Sequence, residues 1–386
     1  MDAWIFDAVR TPRGKARAEG GLAAMKPQQL IGGLVDALEA RGHTPRSAES
    51  LTLGCVGQVG SQGGHIALVS KLRVVVNDAA MALTLNNYCV SGLTAIGLAA
   101  RQVAGRAVTA VAGGIEMMSQ VPFMGDKAGY YTDASFPKRV RYVPVVLAAD
   151  RLAEAQGVTR DELDRLALSS QQRAVAAETN NMLQASRIAV NNLLNDECVR
   201  AQTTAESLAA MPPAFAAIAE QYADALDGPI DHRHTIAHAP PVCDGAAIAL
   251  IGGIENFGAG RVPRARIVAY AEAGGDPHAS LLAGMTAMDR VLQQSGLSLE
   301  AMDRIEFMEA FAVTMALFVR RYRPDLQKTN VAGGHMAKGH PMGASGAILL
   351  SSLLDALDEG AGRYGLVVCS GAGGVGAAMI VERIGG

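Results

Sequence analysis

Little in this sequence is one-sided. Its 34 Lys and Arg stand against 37 Asp and Glu, a formal net charge of -3 at pH 7. No run of Lys and Arg is interleaved with aromatics, so the electrostatic footprint of a nucleic-acid binder is missing. Aromatics are scarce at 4%, while 49% of the chain is apolar and Gly and Ala are abundant. That balance suits closely packed helices and Val/Ile/Leu-rich strands, and argues against a disordered or fibrous chain. No apolar run approaches the length of a membrane span, and residues 1–10 carry Asp2 and Asp7 with no apolar stretch, so a soluble, cytoplasmic protein without membrane contact is expected. The cysteines Cys55, Cys89, Cys198, Cys243 and Cys369 are odd in number and scattered, with neither CxxC spacing nor His-rich neighbourhoods. The pattern argues against a disulfide framework and a structural zinc, and no metal is expected.

What is present is length and an internal echo. A chain of 386 residues exceeds what one simple core usually carries, so two packed lobes are the natural expectation. An apolar strand at 82–85 leads through Asn86-Asn87-Tyr88-Cys89 into a small-residue helix at 90–100, and a second strand at 108–112 breaks into Gly113-Gly114. The C-terminal part repeats the order: a Gly-rich turn at Gly339-His340-Pro341, a helix at 344–357, and a strand at 365–368 breaking into Cys369-Ser370-Gly371. Nearly all-apolar strands alternating with helices predict an α/β fold of two related halves, with buried parallel pairing. Residues 119–239 have a different texture, rich in Pro, Tyr and charge, with a capped helix opening at Thr159. They read as an inserted lid, or as an oligomer contact. The halves are then 1–118 with 240–262, and 263–386.

Cys89 is expected where a strand ends and a helix begins, a position that offers free backbone N–H groups and the positive end of the helix dipole and so lowers a thiol's pKa. Most buried cysteines are small apolar core residues, and most histidines between Gly and Pro are loop residues. The company they keep shifts both readings: if the halves pack pseudo-symmetrically, the loops at their strand ends converge, and Cys89, His340 and Cys369 share one pocket. The five histidines between His65 and His278 read as packing or surface.

The segments Asn86-Asn87-Tyr88-Cys89-Val90-Ser91-Gly92-Leu93, Gly113-Gly114-Ile115-Glu116-Met117-Met118-Ser119, Glu309-Ala310-Phe311-Ala312, Gly339-His340-Pro341-Met342-Gly343-Ala344-Ser345-Gly346 and Cys369-Ser370-Gly371 resemble, in order, the signature blocks of thiolases. Arg10-Thr11-Pro12, residues 54–67, the Ser170-Gln171 helix and Asp244-Gly245-Ala246-Ala247 resemble the connecting blocks. The resemblance implies a duplicated five-layer α/β/α/β/α fold with an inserted loop domain, a homodimer or homotetramer, and acyl transfer between acyl-CoA and CoA. Cys89 is implied as nucleophile, His340 as its base, and Cys369 as acid and base at the α-carbon of the second acyl-CoA. Backbone N–H groups of Cys89 and Gly371 are implied as the oxyanion hole, worth ~3 kcal/mol each. Coenzyme A enters as substrate, and no cofactor is bound permanently.

Some positions depart from the family pattern. Met308 stands where Asn or His usually precedes Glu-Ala-Phe, and a thioether is a poor hydrogen-bond partner. Ala372 adds a residue after Gly371, Pro240 replaces a common serine, and Cys243 a small polar residue. Arg200 fits a phosphate contact or a solvated salt bridge equally well, and Glu116 fits a loop brace at least as well as a catalyst. The departures keep two alternatives open: a catalytically altered or silent acyl-CoA-binding or assembly subunit, and a related condensing enzyme.

Overall fold

The computed structural model describes residues 2–74, 76–253, 255 and 262–384. Residues 254 and 256–261, within the stretch assigned above to the first half, lie outside the described residues, as do residue 1 and residues 385–386 of the two halves. The chain runs β1 (Trp4–Arg10), β2 (Gly14–Lys15), α1 (Pro27–Ala40), β3 (Ser50–Gly54), α2 (Ile66–Val74), β4 (Met81–Leu85), α3 (Ser91–Val103) and β5 (Thr109–Met117). Between β5 and the next strand come α4 (Val145–Ala155), α5 (Arg160–Ala177), α6 (Ala205–Ala209) and α7 (Ala216–Gln221). The rest is β6 (Cys243–Gly252), β7 (Ala265–Gly274), α8 (Ala283–Ser295), β8 (Arg304–Phe307), α9 (Ala312–Tyr322), α10 (His335–Lys338), α11 (Ser345–Glu359), β9 (Tyr364–Gly371) and β10 (Val375–Arg383).

The duplication is written in the sheet. Its strand order is β4-β3-β5-β6-β1-β7-β10-β9-β8, and the halves join where Trp4 and Ile5 pair with Arg266 and Ala265. Outward from that joint, β1/β6 and β6/β5 are antiparallel and β5/β3 parallel; β7/β10 and β10/β9 are antiparallel and β9/β8 parallel. The expected buried parallel pairing is thus present in β4/β3, β3/β5 and β8/β9, and the rest of the sheet is antiparallel. The reason is connectivity: residues 372–374 join β9 to β10 in a tight turn, and a tight turn can only return the chain antiparallel.

Helices α3 and α11 pack against each other and against strands of both halves, forming the middle layer. α1 and α2 cover one outer face through an apolar cluster that includes Leu30, Leu34 and Leu51, and α8 and α9 cover the other through Met285, Phe318 and Phe307. Five layers result, α/β/α/β/α. The contact between the halves is intimate because small residues permit it: a Cβ on Gly92 would lie 2.7 Å from the carbonyl oxygen of Gly343, and one on Gly346 2.7 Å from the backbone nitrogen of Leu93.

The same crowding explains two misjudged breaks. β5 does not end at Gly113-Gly114 but runs through them, and β9 runs through Cys369 to Gly371. A Cβ on Gly113 would sit 1.9 Å from the carbonyl oxygen of Ala247, and one on Gly114 2.3 Å from that of Gly343. These glycines serve close approach inside a strand, where a sequence reading takes glycine as a stop. The cap at Thr159 is where it was expected: its Oγ accepts a hydrogen bond from the Glu162 N–H at 3.3 Å and opens α5.

Candidate active site

Cys89 sits in a short, strained turn between β4 and α3. Tyr88 has φ of +46°, in the left-handed region. Local hydrogen bonds hold it there: Tyr88 N–H donates to Asn86 Oδ1 (2.9 Å), Asn87 N–H to Ser91 Oγ (2.7 Å), and Ser91 Oγ–H to the Tyr88 carbonyl (2.6 Å). The turn delivers the sulfur, half-buried, to the wall of a cavity of 340 Å³. The backbone N–H groups of Ala372 and of Cys89 itself hydrogen-bond the sulfur. Gly371 lies alongside, where a Cβ would come 3.2 Å from the Cys89 nitrogen.

The electrostatics differ from the expectation of an activated thiolate. Burial pushes the Cys89 thiol up to about 12, those two N–H groups pull the other way, and the Glu116 carboxylate raises it further. An apolar cavity wall outweighs two amide dipoles, because desolvating a charged sulfur costs more than they return. The free thiol is protonated and needs a base.

His340 lines the same cavity. Its loop is pinned by the His340 N–H donating to the Pro241 carbonyl (2.9 Å) and by the bend at Gly339, φ +98°, where a Cβ would strike Cys243 Sγ at 2.8 Å and Cys198 Sγ at 3.2 Å. Ser345 Oγ lies 2.7 Å from Nδ1 and orients the ring. Burial, then the nearby Arg13 charge, lowers the imidazole to about 3, so it is neutral near pH 7 and free to accept a proton. Cys369 occupies β9 opposite Ala377, wholly buried, and the next residue, Ser370, is on the cavity wall together with Ala372. Burial and the proximity of Cys89 push its thiol far above the ordinary range. Cys89 and His340, from distant parts of the chain, thus share one wall, and Cys369 is buried near enough to Cys89 to feel its charge.

Glu116 is a brace. Wholly buried, it accepts hydrogen bonds from the N–H groups of Val56 (2.9 Å), Gly57 (3.0 Å) and Gly343 (3.0 Å) and from Gln62 Nε2 (3.0 Å), tying the halves together beneath His340. Glu309 does the same for the segment leading to His340, accepting from Ser170 Oγ (2.7 Å), Asn330 Nδ2 (3.1 Å) and Met336 N–H (3.1 Å). Met308 beside it is buried in the core and does not reach the cavity wall. Pro240 is on that wall. Arg200, exposed and without an ion pair among the described residues, lines a separate hollow with Lys15 and Arg17. His234 and His238 are buried packing residues, each 2.7 Å from a carboxylate, Asp150 and Asp164.

Sequence reasoning missed a buried basic group behind His340. Arg13, His335 and Lys338 are almost wholly inaccessible, with Asp196 and Glu306 nearby. Burial drives His335 well below its ordinary value and lowers Lys338, while Glu306 is raised. The available signal was three basic side chains set into otherwise small-residue, glycine-rich blocks.

Known proteins agree with this geometry over the whole chain. The family model for the thiolase N-terminal domain matches residues 3–255, and that for the thiolase C-terminal domain residues 261–383. A 3-oxoadipyl-CoA/3-oxo-5,6-dehydrosuberyl-CoA thiolase of Escherichia coli K12 is 34% identical over 99% of this chain and 100% of its own. A 3-ketoacyl-CoA thiolase of Bacillus subtilis is 30% identical, covering 99% of each. The crystal structure of human mitochondrial 3-ketoacyl-CoA thiolase in complex with CoA superimposes with a TM-score of 0.85 at 30% identity, over 99% of this chain and 98% of that one. End-to-end similarity to enzymes does not favour a silent subunit. With both domains matched and the two half-sites facing one cavity, the chain belongs to the thiolase family and is an acyltransferase acting on acyl-CoA.

Proposed function

We propose that this thiolase transfers apolar acyl groups through a thioester on Cys89. Cys89 attacks the acyl carbonyl and gives its proton to the neutral His340, which passes it to the departing CoA sulfur; Cys369 takes the α-proton of the second acyl-CoA, whose α-carbon then bonds to the acyl carbonyl as the Cys89 sulfur leaves; and the N–H of Cys89, with those of the turn at Gly371 and Ala372, holds the thioester oxygen. The observation that supports this is the shared cavity wall of Cys89 and His340, with Cys369 buried close to Cys89 and next in the chain to the wall residue Ser370. Residues 119–239 act as the lid: Phe123, Val145, Val146, Phe215 and Ile236 close the cavity from that side.

The acyl class follows from the wall. Among the described residues it carries no Lys, Arg, Asp or Glu, and its polar side chains are Cys89, His340 and Ser370. A terminal carboxylate, such as the adipyl names of some relatives imply, would be buried there unpaired. Unbranched fatty acyl chains, as in β-oxidation, suit it better. Thiolysis of 3-oxooctanoyl-CoA is expected to exceed that of 3-oxoadipyl-CoA by about 100-fold in kcat/KM. Equal rates would refute the apolar assignment, and no turnover of either would refute the site.

The edge of the sheet suggests a second copy as partner. β4 is a terminal strand with Met81 50% and Leu83 37% exposed, beside Leu68 and Leu72 of α2, and two such edges can pair across a twofold axis. Five unpaired cysteines suit a reducing compartment such as the cytoplasm.

A further inference from the structure

Two cysteines that the acyl transfer leaves without work meet beside Gly339. Cys198 lies in the connection between α5 and α6, and Cys243 opens β6. Both are free thiols, buried at 3% and 0% exposure. Their sulfurs press on one point, since a Cβ on Gly339 would lie 2.8 Å from Cys243 Sγ and 3.2 Å from Cys198 Sγ. The Cys243 thiol donates a hydrogen bond to the Cys198 sulfur. Contact between sulfurs is the first condition for a disulfide.

The surroundings make the two thiols unequal. Cys198 lines a hollow of 320 Å³ with Lys15, Arg17 and Arg200, the last two exposed, whereas Cys243 is not on that wall. A small oxidant entering there meets Cys198 first. The hydrogen bond from Cys243, opposed by burial and helped by the charges of Arg13 and Lys15, holds the Cys198 thiol below its ordinary value. Burial, and the Cys198 sulfur beside it, push Cys243 up. Arg13 is 2% exposed, and its Nε and Nη1 have no hydrogen-bond partner among the described residues, so a charged sulfur at Cys198 has a guanidinium to spare. One thiol is thus favoured as thiolate while its neighbour keeps a proton, the division between an attacking and a resolving cysteine. Cys89, pushed up to about 12, is the slower thiol to oxidise.

We propose that Cys198 and Cys243 form a thiol switch that hydrogen peroxide closes into a disulfide, tying the α5–α6 connection to β6 against the loop that carries His340. The Cys198 thiolate attacks one peroxide oxygen and the O–O bond breaks. The departing hydroxide takes up the proton that Cys198 had released and leaves as water, and Cys198 becomes a sulfenic acid. The Cys243 sulfur then attacks that sulfur, and its proton leaves with the hydroxyl as a second water. Two thiols lose two electrons and one peroxide gains them. Gly339, at φ +98°, is the bend that sets His340, so sulfurs drawn into a bond alter the seat of that loop, and a displaced base slows transfer. The loss of rate rests on the acyl-transfer reading of the site; the cross-link does not.

The test treats the reduced, full-length protein with a small excess of hydrogen peroxide and follows intact mass, peptide mass, and turnover of acetoacetyl-CoA with CoA. The wild type is expected to lose the mass of two hydrogens in a peptide joining Cys198 to Cys243, with Cys89 still open to iodoacetamide. Its turnover should fall about 10-fold and return with dithiothreitol. Cys198→Ser should start active and keep its turnover under the same treatment, and Cys198→Ala gives the same comparison should the serine variant fold poorly. Cys243→Ser should stop at the sulfenic acid, trapped on Cys198 by dimedone. Oxidation of Cys89 ahead of any Cys198–Cys243 link, or a linked protein with undiminished turnover, would overturn the switch. No turnover in the untreated wild type would refute the acyl-transfer reading instead, and the linked peptide would still decide whether the pair closes.

Discussion

Two fully buried polar side chains flank the His340 loop, one from each half, and they are treated in opposite ways. Glu116, from the first half, sits among three backbone N–H groups and an amide, all donating to it. His335, from the second, has no hydrogen-bond partner at either ring nitrogen among the described residues. The carboxylate regains through hydrogen bonds much of what its burial costs, and in return it fixes the geometry between the halves. The imidazole regains nothing from the fold. The difference teaches how differently two buried polar groups can be held beside one loop: the carboxylate by hydrogen bonds that join the halves, the imidazole by packing against the His340 ring.

That comparison can be broken by asking whether each substitution costs rate or stability. The largest effect falls on rate alone. Cys89→Ser is expected to lower thiolysis by about 10⁴-fold and abolish the acyl adduct while leaving the urea midpoint unchanged, because removing a nucleophile disables the whole catalytic set. Appreciable turnover in that variant would show that Cys89 is not the nucleophile.

Glu116→Ala should behave in the opposite sense, costing about 3 kcal/mol of stability by leaving several buried donors unpaired. Urea denaturation measures it. A variant as stable as wild type but inactive would move Glu116 from scaffold to chemistry.

Acid sharpens the comparison further. His340 has its folded value lowered to about 3, below that of the unfolded chain, so the stability it lends is fully present above the unfolded value and drains away as pH falls toward the folded one. By pH 5 one such histidine should have cost about 2 kcal/mol, read as a lower urea midpoint than at pH 7. His335, driven well below its ordinary value by burial, adds in the same direction, so His335→Phe should lose less stability over that range than wild type. An identical loss in both would show that His335 is not held neutral in the fold. The smallest effect belongs to an exposed scaffold bond: Thr159→Ala should cost about 1 kcal/mol through the lost cap of α5 and leave kcat unchanged. A change in kcat would mean that α5, which carries Ser170 to Glu309, reaches the chemistry.

Much of the site was legible because its residues come in short blocks with unusual neighbours. Cys89 before a small-residue helix and His340 between Gly339 and Pro341 were identifiable from order and spacing, and both line the cavity. Strand direction was less so. Parallel or antiparallel pairing depends on the route of each connection, so the apolar look of the strands read at 108–112 and 365–368 concealed their antiparallel ladders with β6 and β10. Glycine misled twice, at Gly113-Gly114 and after Val368, because a strand that must touch a neighbouring backbone uses the residue that elsewhere ends strands.

From the sequence by itself came the family, the doubling of the unit and the three side chains proposed for the chemistry, since these depend on residue types at local spacings that the chain carries in any conformation. Only the tertiary structure decided the protonation state of Cys89 and His340, the bracing work of Glu116 and the unpaired ring of His335. Those properties are set by burial and by the groups that face a side chain from other elements, and a linear sequence does not record which groups those are.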